Sequence, residues 1–444
     1  MKNTNIICLG FYDDFARFFL SISSELKKRN KNIRFNYFSL YTSGWLYFIF
    51  RFRPASFISL KVKFNLIIHY KHYKKILSEN YLFYKDINLS EVIKYHKLLN
   101  PSDEVKLQLQ ALSYIDILTQ VITNIEPKLL ILSGDSRMAS EILKALGKIK
   151  NIPILFFEQG PFKTTIFDIE GVNANCSFRY KEINYINKNN IDVKKKENIS
   201  FLNRERKSNY FRTPFLRIFD YLAQPILNII SLYPEDIKTQ DTFVFSNKRT
   251  YNNVIKTSGS ESNYFLLILQ VPFDANMVYH SPFFKSHFEI VENIYNNMPK
   301  NIKLIVREHP LHKNKYENEL YDFMIKNKLS LDIGALDKSI NNAKAIIVNN
   351  STVGIEAIAN NKIVVVLGDS YYDHDAVCLK LKNKNEISLI LNKAIYHKVN
   401  KDNNILFMHE FIYGFLIDGH FRDSNLETPS KLISNKILNY INAE

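Results

Sequence analysis

At 444 residues the sequence is longer than most single domains, so we expect two domains. Its hydrophobic content of 46% excludes an intrinsically disordered chain. With 59 Lys and Arg against 44 Asp and Glu, the net charge of +15 favours an anionic partner, such as a phosphorylated substrate, an anionic membrane or a nucleic acid. A compositional drift toward Asn, Ile and Lys would raise the charge in the same way without any function.

The three cysteines, Cys8, Cys176 and Cys378, lie far apart, without the spacing of a metal site or a disulfide framework. This favours a reducing compartment and argues against structural zinc. The N-terminal apolar run is too short for a secretory signal. No stretch reaches the roughly 20 apolar residues of a membrane-spanning helix. We therefore expect a cytoplasmic protein, or one bound to a membrane from its cytoplasmic side.

In the first half of the chain, short apolar runs alternate with helical patterns. This alternation is typical of a parallel sheet with helices on both faces. The strand candidates are residues 5–9, 32–40, 128–134 and 152–160, and the helical patterns include residues 13–28 and 137–148.

Residues 44–75 mix aromatic with basic side chains, contain no acidic residue and include the only tryptophan, Trp45. Aromatic rings beside basic groups suit the interface of an anionic membrane. The alternative is an insertion that packs on its own domain with solvated charges.

The strand pattern restarts in the second half of the chain. We read residues 233–241, which combine a proline with several charges, as a linker. The sequence thus predicts two Rossmann-like α/β domains that face a cleft, spanning residues 1–236 and 237–444. The second-half strand candidates are residues 242–246, 265–271, 303–306, 345–348 and 363–367.

A polar segment follows the predicted strand at 345–348. Ligands of open parallel sheets bind outside the carboxyl ends of strands. Ser351 suits an N-cap, the first amides of the helix would then bind phosphate, and Gly354 would allow close approach to the backbone. Glu356, about one turn into the helix, would accept ribose hydroxyls. The alternative is an ordinary capped helix with a solvated glutamate. The polar residues at the strand end are Asn349, Asn350, Ser351 and Thr352.

The sequence REHP ends another predicted strand. His309 would donate a hydrogen bond to a phosphoryl oxygen, or neutralise a leaving nucleotide as an imidazolium ion. Pro310 would fix the turn, and Arg307 would be a second phosphate donor. Gln270 and Asp274 follow the strand before it, in a polar loop that we assign to donor binding and that could equally be an ordinary loop.

The first half carries carboxylates near two strand ends. Glu158 lies at the carboxyl end of the predicted strand at 152–160, and Asp168 comes ten residues later. Both are candidates for a catalytic base or nucleophile. The alternative is that they are ordinary loop or helix-cap residues. The candidates for the acceptor or sugar side are Asp135, Arg137, Lys163 and Asn173.

Together these motifs resemble the capsular polysaccharide synthesis family of bacterial Kdo glycosyltransferases. They occur in the order of that family, over residues 129–373. The motifs are GDSR (134–137), EQG (158–160), FDIEGVN (167–173), LQVPFDANMVYHSPF (269–283), REHP (307–310) and NNSTVGIEAIANNKIVVVLGDSYYD (349–373).

The resemblance implies a GT-B-like, CMP-Kdo-dependent enzyme with an acceptor-side N-terminal domain and a nucleotide-binding C-terminal domain. Its acceptor would be an anionic lipid or a lipid-linked saccharide, and a capsule assembly or export complex would be a partner. Glu158 and Asp168 would face the sugar, and configuration would be retained if the product is β-Kdo. No metal is implied. The residues that the resemblance places at the CMP phosphate or ribose are His309, Pro310, Ser351, Thr352 and Glu356.

Three alternatives remain open. A CMP-sialic acid transferase would use the same parts in an inverting displacement, and a CDP-glycerol-type transferase also carries a His-Pro motif. A capsule assembly protein without catalytic activity is a further possibility, although Glu158 and His309 are both present. Nucleic-acid binding finds no supporting motif.

Overall fold

Two parallel sheets organise the chain in this computed structural model. The structure describes residues 4–79, 82–99, 104–204, 210, 213–229, 234, 236, 252–258, 263–272 and 274–442. The chain forms two compact units, each with its own sheet. Unit 1 comprises Met1–Val172, Glu205–Thr242 and Leu416–Glu444, and unit 2 comprises Asn173–Arg204 and Phe243–Phe415.

Unit 1 contains a six-stranded sheet in the order β3-β2-β1-β6-β7-β8, parallel except for β8, and a separate antiparallel pair, β4-β5. The strands are β1 (Thr4–Gly10), β2 (Ile33–Ser39), β3 (Ala55–Phe57), β4 (Phe83–Tyr84), β5 (Ile87–Asn88), β6 (Leu129–Ser133), β7 (Ile154–Gly160) and β8 (Thr164–Asp168). Its helices are α1 (Asp13–Arg29), α2 (Thr42–Ile49), α3 (Ile58–Ile68), α4 (Tyr70–Ser78), α5 (Leu89–Leu99), α6 (Glu104–Ile125), α7 (Met138–Lys150), and, later in the chain, α9 and α17.

The strands of unit 1 are apolar because helices cover both faces of the sheet. All five residues of β6 are buried, as a central parallel strand requires. Helix α1 buries an apolar stripe that includes Phe18 and Ile22, and acidic residues begin it while basic residues end it, in accord with its dipole. The predicted strands and helices of this half are thus confirmed, with ends shifted by a few residues.

One edge of this sheet differs from the parallel prediction. After β7 the chain turns through Pro161–Lys163, where Phe162 and Lys163 both adopt left-handed backbone angles. A parallel crossover needs a dozen or more residues, so this three-residue turn can only return the chain antiparallel. Strand β8 therefore runs back along β7.

Unit 2 contains seven parallel strands in the order β15-β14-β13-β10-β11-β12-β9. They are β9 (Ile255–Thr257), β10 (Tyr264–Ile268), β11 (Lys303–Arg307), β12 (Ser330–Asp332), β13 (Ala345–Val348), β14 (Ile363–Val366) and β15 (Leu379–Lys380). The helices are α8 (Ile191–Leu202), α10 (Ala275–Tyr279), α11 (His287–Asn296), α12 (Asn318–Lys326), α13 (Leu336–Asn342), α14 (Val353–Ala359), α15 (Ile387–Tyr396) and α16 (Lys401–His409). In unit 1, α9 is Pro214–Ile229 and α17 is Glu427–Asn442.

The strand order of unit 2 reverses at its centre. From β10 the chain moves outward to β11 and β12, then returns to β13 on the other side of β10. In register, Leu267 of β10 lies opposite Val306 of β11 and Ile347 of β13. The carboxyl ends of these three strands therefore surround a topological switch point. The prediction of two Rossmann-like parallel-sheet domains is confirmed.

The division of the chain differs from a single boundary after residue 236. Phe178 packs against Phe407 and Phe411, with ring centroids 5.5 and 4.9 Å apart, so residues 173–204 belong to unit 2. Helix α17 adds Ile433 and Ile437 to the same core as α1. Aromatic and aliphatic packing over long sequence separations thus decides both assignments. The predicted linker at 233–241, apart from Pro234 and Asp236, and the predicted strand at 242–246 lie outside the described residues.

Unit 2 buries a histidine whose titration should affect stability. His287 is 2% exposed, and its ring lies edge-on to Tyr316 at 5.0 Å. Burial, with His312 nearby, lowers the pKa of His287 to about 3. The folded pKa lies below the ordinary 6.5, so the stability contribution is fully present above pH 6.5 and is lost as pH falls toward 3.

We expect the wild-type protein to lose about 2 kcal/mol more unfolding free energy than His287→Leu between pH 7 and pH 5, since each pH unit below 6.5 costs about 1.4 kcal/mol. Denaturant unfolding at the two pH values measures this difference. Other titrating groups are shared by both proteins and cancel. Equal losses in the two proteins would show that His287 is not buried neutral.

Candidate active site

The switch point of unit 2 brings three sequence motifs to one edge of one sheet. Gln270 follows β10, His309 follows β11 and Asn350 follows β13. Because β10 pairs with both neighbours, these residues end adjacent strands at the place where open α/β sheets bind ligands. The donor-binding residues predicted from separate motifs therefore lie around one point.

Buried amides occupy the centre of this edge. Gln270 Oε1 accepts the Asn350 backbone N–H at 3.4 Å, and Asn350 Nδ2 donates to the carbonyls of Asn276 and His280, both at 2.9 Å. These contacts fix both amide orientations. Gln270 Nε2 and the Oδ1 atoms of Asn349 and Asn350 are buried and have no hydrogen-bond partner among the described residues. Such unused polar capacity is costly in a core and is typical of a site for a polar ligand.

A tyrosine joins the ends of β10 and β11. The buried Tyr316 hydroxyl donates to the carbonyl of Gln270 at 2.9 Å and accepts the backbone N–H of His309 at 3.0 Å. This bridge fixes the backbone of His309 relative to Gln270. No local sequence signal marks Tyr316, which belongs to the loop before α12.

His309 is held as a neutral ring. Its Nδ1 accepts the backbone N–H of Leu311 at 3.3 Å, so the ring proton resides on Nε2. Burial, with His312 nearby, lowers the pKa of His309. The imidazolium form considered from the sequence is therefore disfavoured, and the arrangement supports an Nε2–H donor. Pro310 is exposed and opens the short turn Pro310–His312 that places Leu311.

Arg307 has partners within the protein. Its Nη1 donates to the carbonyl of Gly334 at 2.9 Å and pairs with Asp332, whose carboxylate is fully buried. These contacts tie the end of β11 to that of β12. The predicted role of Arg307 as a phosphate donor would have to use the remaining guanidinium N–H groups.

The start of α14 differs from the capping pattern expected for Ser351. The helix begins at Val353, and Thr352 occupies the N-cap with helical backbone angles and no side-chain cap. Ser351 instead accepts two hydrogen bonds. Its hydroxyl accepts the Val353 N–H at 3.4 Å, and its carbonyl accepts the Gly354 N–H at 3.0 Å. The Val353 and Gly354 amides, which the sequence suggested for phosphate binding, thus make hydrogen bonds within the protein. Thr352 is exposed and lies at the edge of the site.

Gly354 is required by packing against a tyrosine. A Cβ atom at this position would lie 2.6 Å from Tyr372 Cε2, and Tyr372 is fully buried. The Tyr372 hydroxyl donates to the carbonyl of Ser351. The close approach that the glycine permits is therefore that of Tyr372, where the sequence suggested a ligand.

We expect Gly354→Ala to lower the free energy of unfolding by about 1–3 kcal/mol, because the buried ring has to shift. Gly414→Ala is the matched control, since its Cβ would meet only the side-chain ends of Lys181 and Glu410, at 3.1 and 3.3 Å. Denaturant titration of both variants makes the comparison. Equal stability of the two variants would contradict the packing role of Tyr372.

Glu356 sits in the first turn of α14, partly buried. Its carboxylate makes no hydrogen bond to any described residue. Burial raises the pKa of Glu356, and the negative charge of Asp337 raises it further. A carboxylate kept from water without a protein donor is suited to accept ligand hydroxyls. The partly buried carboxylate is compatible with the ribose role predicted for Glu356, which stays a prediction.

The loop after β10 carries two further predicted residues. Asp274 Oδ2 accepts the Asn276 amide at 3.2 Å, at the N-cap of α10. Asn276 also faces Asn173 Oδ1 at 3.5 Å. Asn173, predicted for the acceptor side of the first domain, therefore lies in unit 2 beside the donor-side loop.

An ionic network follows β14, and the sequence did not reveal it. Arg179 pairs with Asp369 at 2.7 Å and with Asp373 at 3.0 Å, and Lys380 pairs with both carboxylates at 2.9 and 3.0 Å. Burial opposes ionisation of Asp369, but Lys380 and Arg179 lower its pKa overall. The Asp369 N–H donates to the carbonyl of His280, which joins the network to the amide cluster. Arg179 lies about 190 residues from its partners, so no local pattern could have identified it.

In unit 1, Glu158 lies near the carboxyl end of β7. A Cβ atom on Gly134, just after β6, would be 3.9 Å from Glu158 Oε2, so the carboxylate lies against the end of β6. Gly134 has a φ of +68°, a conformation that glycine adopts without strain. Glu158 is partly buried. The structure thus places Glu158 at the carboxyl edge of the sheet, as the sequence predicted.

Asp168 has a different position. It ends the antiparallel β8 opposite Phe156, near the amino end of β7, and is 5% exposed. Its Oδ1 accepts the N–H groups of Glu170 at 2.8 Å and Gly171 at 3.3 Å. Asp168 therefore holds a turn, because the hairpin carries it away from the carboxyl edge.

The remaining acceptor-side candidates make local contacts. Asp135, 2% exposed, accepts the Val172 N–H at 3.1 Å and so fixes the loop after β8. The Arg137 guanidinium lies 4.8 Å from the ring centre of Tyr95, at the start of α7. Lys163, partly exposed, belongs to the left-handed turn of the β7-β8 hairpin. Asp135 follows β6 and Glu158 lies near the end of the neighbouring β7, whereas Arg137 and Lys163 come after these strand ends.

The described residues contain neither a candidate metal cluster nor a candidate membrane-spanning helix. None of the described His, Cys, Asp and Glu side chains form a group of three suited to a metal ion. Within the same ranges no helix has the length and apolar character needed to cross a bilayer.

Comparison with known proteins gives a family match. The model of the family described as "Capsule polysaccharide biosynthesis protein" matches residues 128–386, more than half of the chain. The capsule polysaccharide export protein KpsS of Escherichia coli is 30% identical over 127 residues, which cover 26% of this chain and 32% of KpsS. Protein FixF of Sinorhizobium fredii is 30% identical over 143 residues, which cover 30% of this chain and 33% of FixF. The matched segments span about a third of each relative.

Among solved structures, the beta Kdo 2,7 transferase of Thermosulfurimonas dismutans KpsC aligns with 78% of this chain and 96% of its own. The TM-score is 0.35 and the sequence identity 14%. Similarity at this level carries no argument about activity, so the family assignment depends on the sequence match.

Proposed function

This chain belongs to the capsule polysaccharide biosynthesis protein family, and we propose that it is a glycosyltransferase that moves Kdo from CMP-Kdo to a lipid or saccharide acceptor. The observation that carries the proposal is the meeting of Gln270, His309 and Asn350 at the switch point of unit 2. All three lie within the matched residues 128–386.

Unit 2 is the proposed donor side. The Nε2–H of His309 donates to the phosphate oxygen of CMP, and a neutral donor can stabilise developing charge without a metal. Glu356 accepts the ribose hydroxyls, and the amide cluster of Gln270 and Asn350 supplies a donor and an acceptor to the same ligand. Thr352 and Pro310 line the exposed edge beside the phosphate. No cofactor is required by this scheme.

Unit 1 is the proposed source of the reacting carboxylate, and we assign that role to Glu158. In a retaining reaction its carboxylate attacks the anomeric carbon, the bond to the CMP phosphate oxygen breaks, and CMP leaves. The acceptor hydroxyl then attacks the anomeric carbon, the Glu158 carboxylate leaves, and the hydroxyl proton passes to the CMP phosphate. In an inverting reaction the same group would accept that proton directly. Asp168 is assigned a positioning role, because its carboxylate holds the turn at Glu170 and Gly171.

The acceptor is proposed to be an anionic lipid or a lipid-linked saccharide, reached at the inner face of the bacterial inner membrane. The basic, aromatic residues 44–75 support a peripheral membrane location. Membership in a capsule assembly complex would bring enzyme and acceptor together.

A non-catalytic role in capsule assembly is the second candidate, favoured by the name of the relative KpsS, an export protein. A donor screen separates the two. Purified protein is incubated with CMP-Kdo made in situ, CMP-sialic acid, CDP-glycerol and UDP-sugars, with a lipid extract as acceptor and mass spectrometry of the products. A Kdo mass increment on a lipid is expected. Transfer from another donor alone would overturn the Kdo assignment, and no transfer from any donor would favour the assembly role.

A further inference from the structure

Helix α9 of unit 1 exposes a row of apolar side chains although its two charged residues are buried or nearly so. Its charged residues point inward: Asp220 is 6% exposed and the side chain of Arg217 17%. Leu216 is buried and Leu227 packs against the core, but five other apolar side chains of α9 face outward. The exposed fractions are 61% for Phe215, 48% for Ile218, 57% for Tyr221, 64% for Leu222 and 59% for Ile226.

Arg217 and Asp220 both have partners within unit 1. Arg217 pairs with Asp13 at 2.7 Å and with Asp14 at 3.4 Å, and its guanidinium lies 3.8 Å from the ring centre of Tyr12. Asp220 accepts the backbone N–H of Ser43 at 2.8 Å. These contacts fix the rotation of α9 about its axis. The outward direction of the apolar face is therefore determined by the fold.

The spacing of 215, 218, 222 and 226 forms one continuous stripe along α9. A surface helix of a globular protein ordinarily presents its polar face to water. A contiguous exposed apolar face instead marks a contact with a membrane or another protein.

A second exposed apolar surface lies close by. Helix α9 packs on α2, and α2 has eight residues, so it is about 12 Å long. The loop that follows α2 exposes 54% of Phe50 and 94% of Phe52, and Phe52 adopts a left-handed turn with φ of 53°. Arg51 and Arg53, both exposed, flank it.

Charge indicates what covers this surface. Residues 44–75 contain seven basic side chains and no acidic one. Helices α3 and α4 continue the mixture: 49% of Phe64 and 74% of Ile68 are exposed, and Lys61 of α3 and Lys71 of α4 are exposed too. Apolar side chains at the acyl boundary with basic groups at the headgroup level are the pattern of a protein lying in an anionic membrane interface.

We propose that the outward face of α9 and the Phe50–Phe52 loop insert together into the interface of an anionic bilayer. The apolar stripe enters the boundary between headgroups and acyl chains, while the arginines and lysines contact lipid phosphates. The inference does not depend on the identity of the sugar donor.

The test is flotation of the full chain with vesicles of phosphatidylcholine, with and without phosphatidylglycerol. We expect binding to the anionic vesicles, and about a tenfold or greater loss in the triple variant Ile218→Ser, Leu222→Ser, Ile226→Ser. The matched control is Leu389→Ser with Tyr396→Ser, which removes two apolar side chains of unit 2 that are 68% and 82% exposed. The control should bind like wild type.

A second arm separates charge from insertion. Arg51→Gln with Arg53→Gln should weaken binding at low salt and reduce its salt dependence, because exposed charges are screened as ionic strength rises. Unchanged flotation of the triple variant would overturn the proposal. So would a concentration-dependent dimer that the triple variant abolishes while vesicle binding is absent, since a second copy would then cover α9.

Discussion

Replacing Glu158 by Gln is expected to lower sugar transfer by about a thousandfold or more, because the neutral amide can act neither as nucleophile nor as base. CMP binding should stay within about twofold of wild type, since the proposed nucleotide contacts lie in unit 2. Mass spectrometry of the lipid product measures transfer, and titration calorimetry with CMP measures binding. The separation of the two effects is the signature of a reacting group.

Asp168→Asn is the matched control for this experiment. The sequence alone predicts the same loss for both carboxylates. In the structure, Asp168 accepts two backbone N–H groups through Oδ1, and an asparagine Oδ1 can accept the same bonds. Transfer by Asp168→Asn should therefore stay within about threefold of wild type. A loss of transfer as large as that of Glu158→Gln would show that Asp168 takes part in the reaction.

His309→Ala is expected to lower the maximal transfer rate by about 10²–10³-fold, the usual cost of removing one donor to a developing oxyanion. His309→Gln should recover part of this loss, because its amide nitrogen reaches as far as Nε2 and still donates. His312→Ala serves as the neighbouring control, with its ring 6.4 Å from that of His309. A fully active His309→Ala enzyme would remove the phosphate role.

The pH profile adds an independent check on His309. Its lowered pKa keeps the ring neutral at pH 7, and protonation would break the contact from Leu311 to Nδ1. We therefore expect no inflection from this histidine between pH 7 and pH 8. Any loss should begin only below its ordinary pKa of 6.5.

The strands and the strand-end motifs could be predicted because both are local signals. A continuous apolar run such as Ala345–Val348 is buried on both faces, and parallel topology carries its following residues to the same edge as His309 and Gln270.

The missed features depend on contacts between distant segments. Arg179 meets Asp369 across 190 positions, and Tyr372 explains Gly354 only once the chain is folded. In the sequence, Asp168 is typical of a carboxylate at the carboxyl edge of a parallel sheet. The turn at Phe162 makes β8 antiparallel, so Asp168 lies away from that edge. Spacing along the chain contains no information about such reversals.

The interleaving of the two units has a consequence for synthesis on the ribosome. Helix α17 supplies Ile433 and Ile437 to the core that contains Phe18 and Ile22 of α1. The Ser430 hydroxyl of α17 also donates a hydrogen bond to the Ser21 hydroxyl at 2.7 Å. Helix α1 of unit 1 is thus translated before unit 2, and helix α17 of unit 1 is translated after it. During the whole translation of unit 2, the nascent α1 surface stays uncovered by α17, and this interval exposes the chain to aggregation and to chaperone capture.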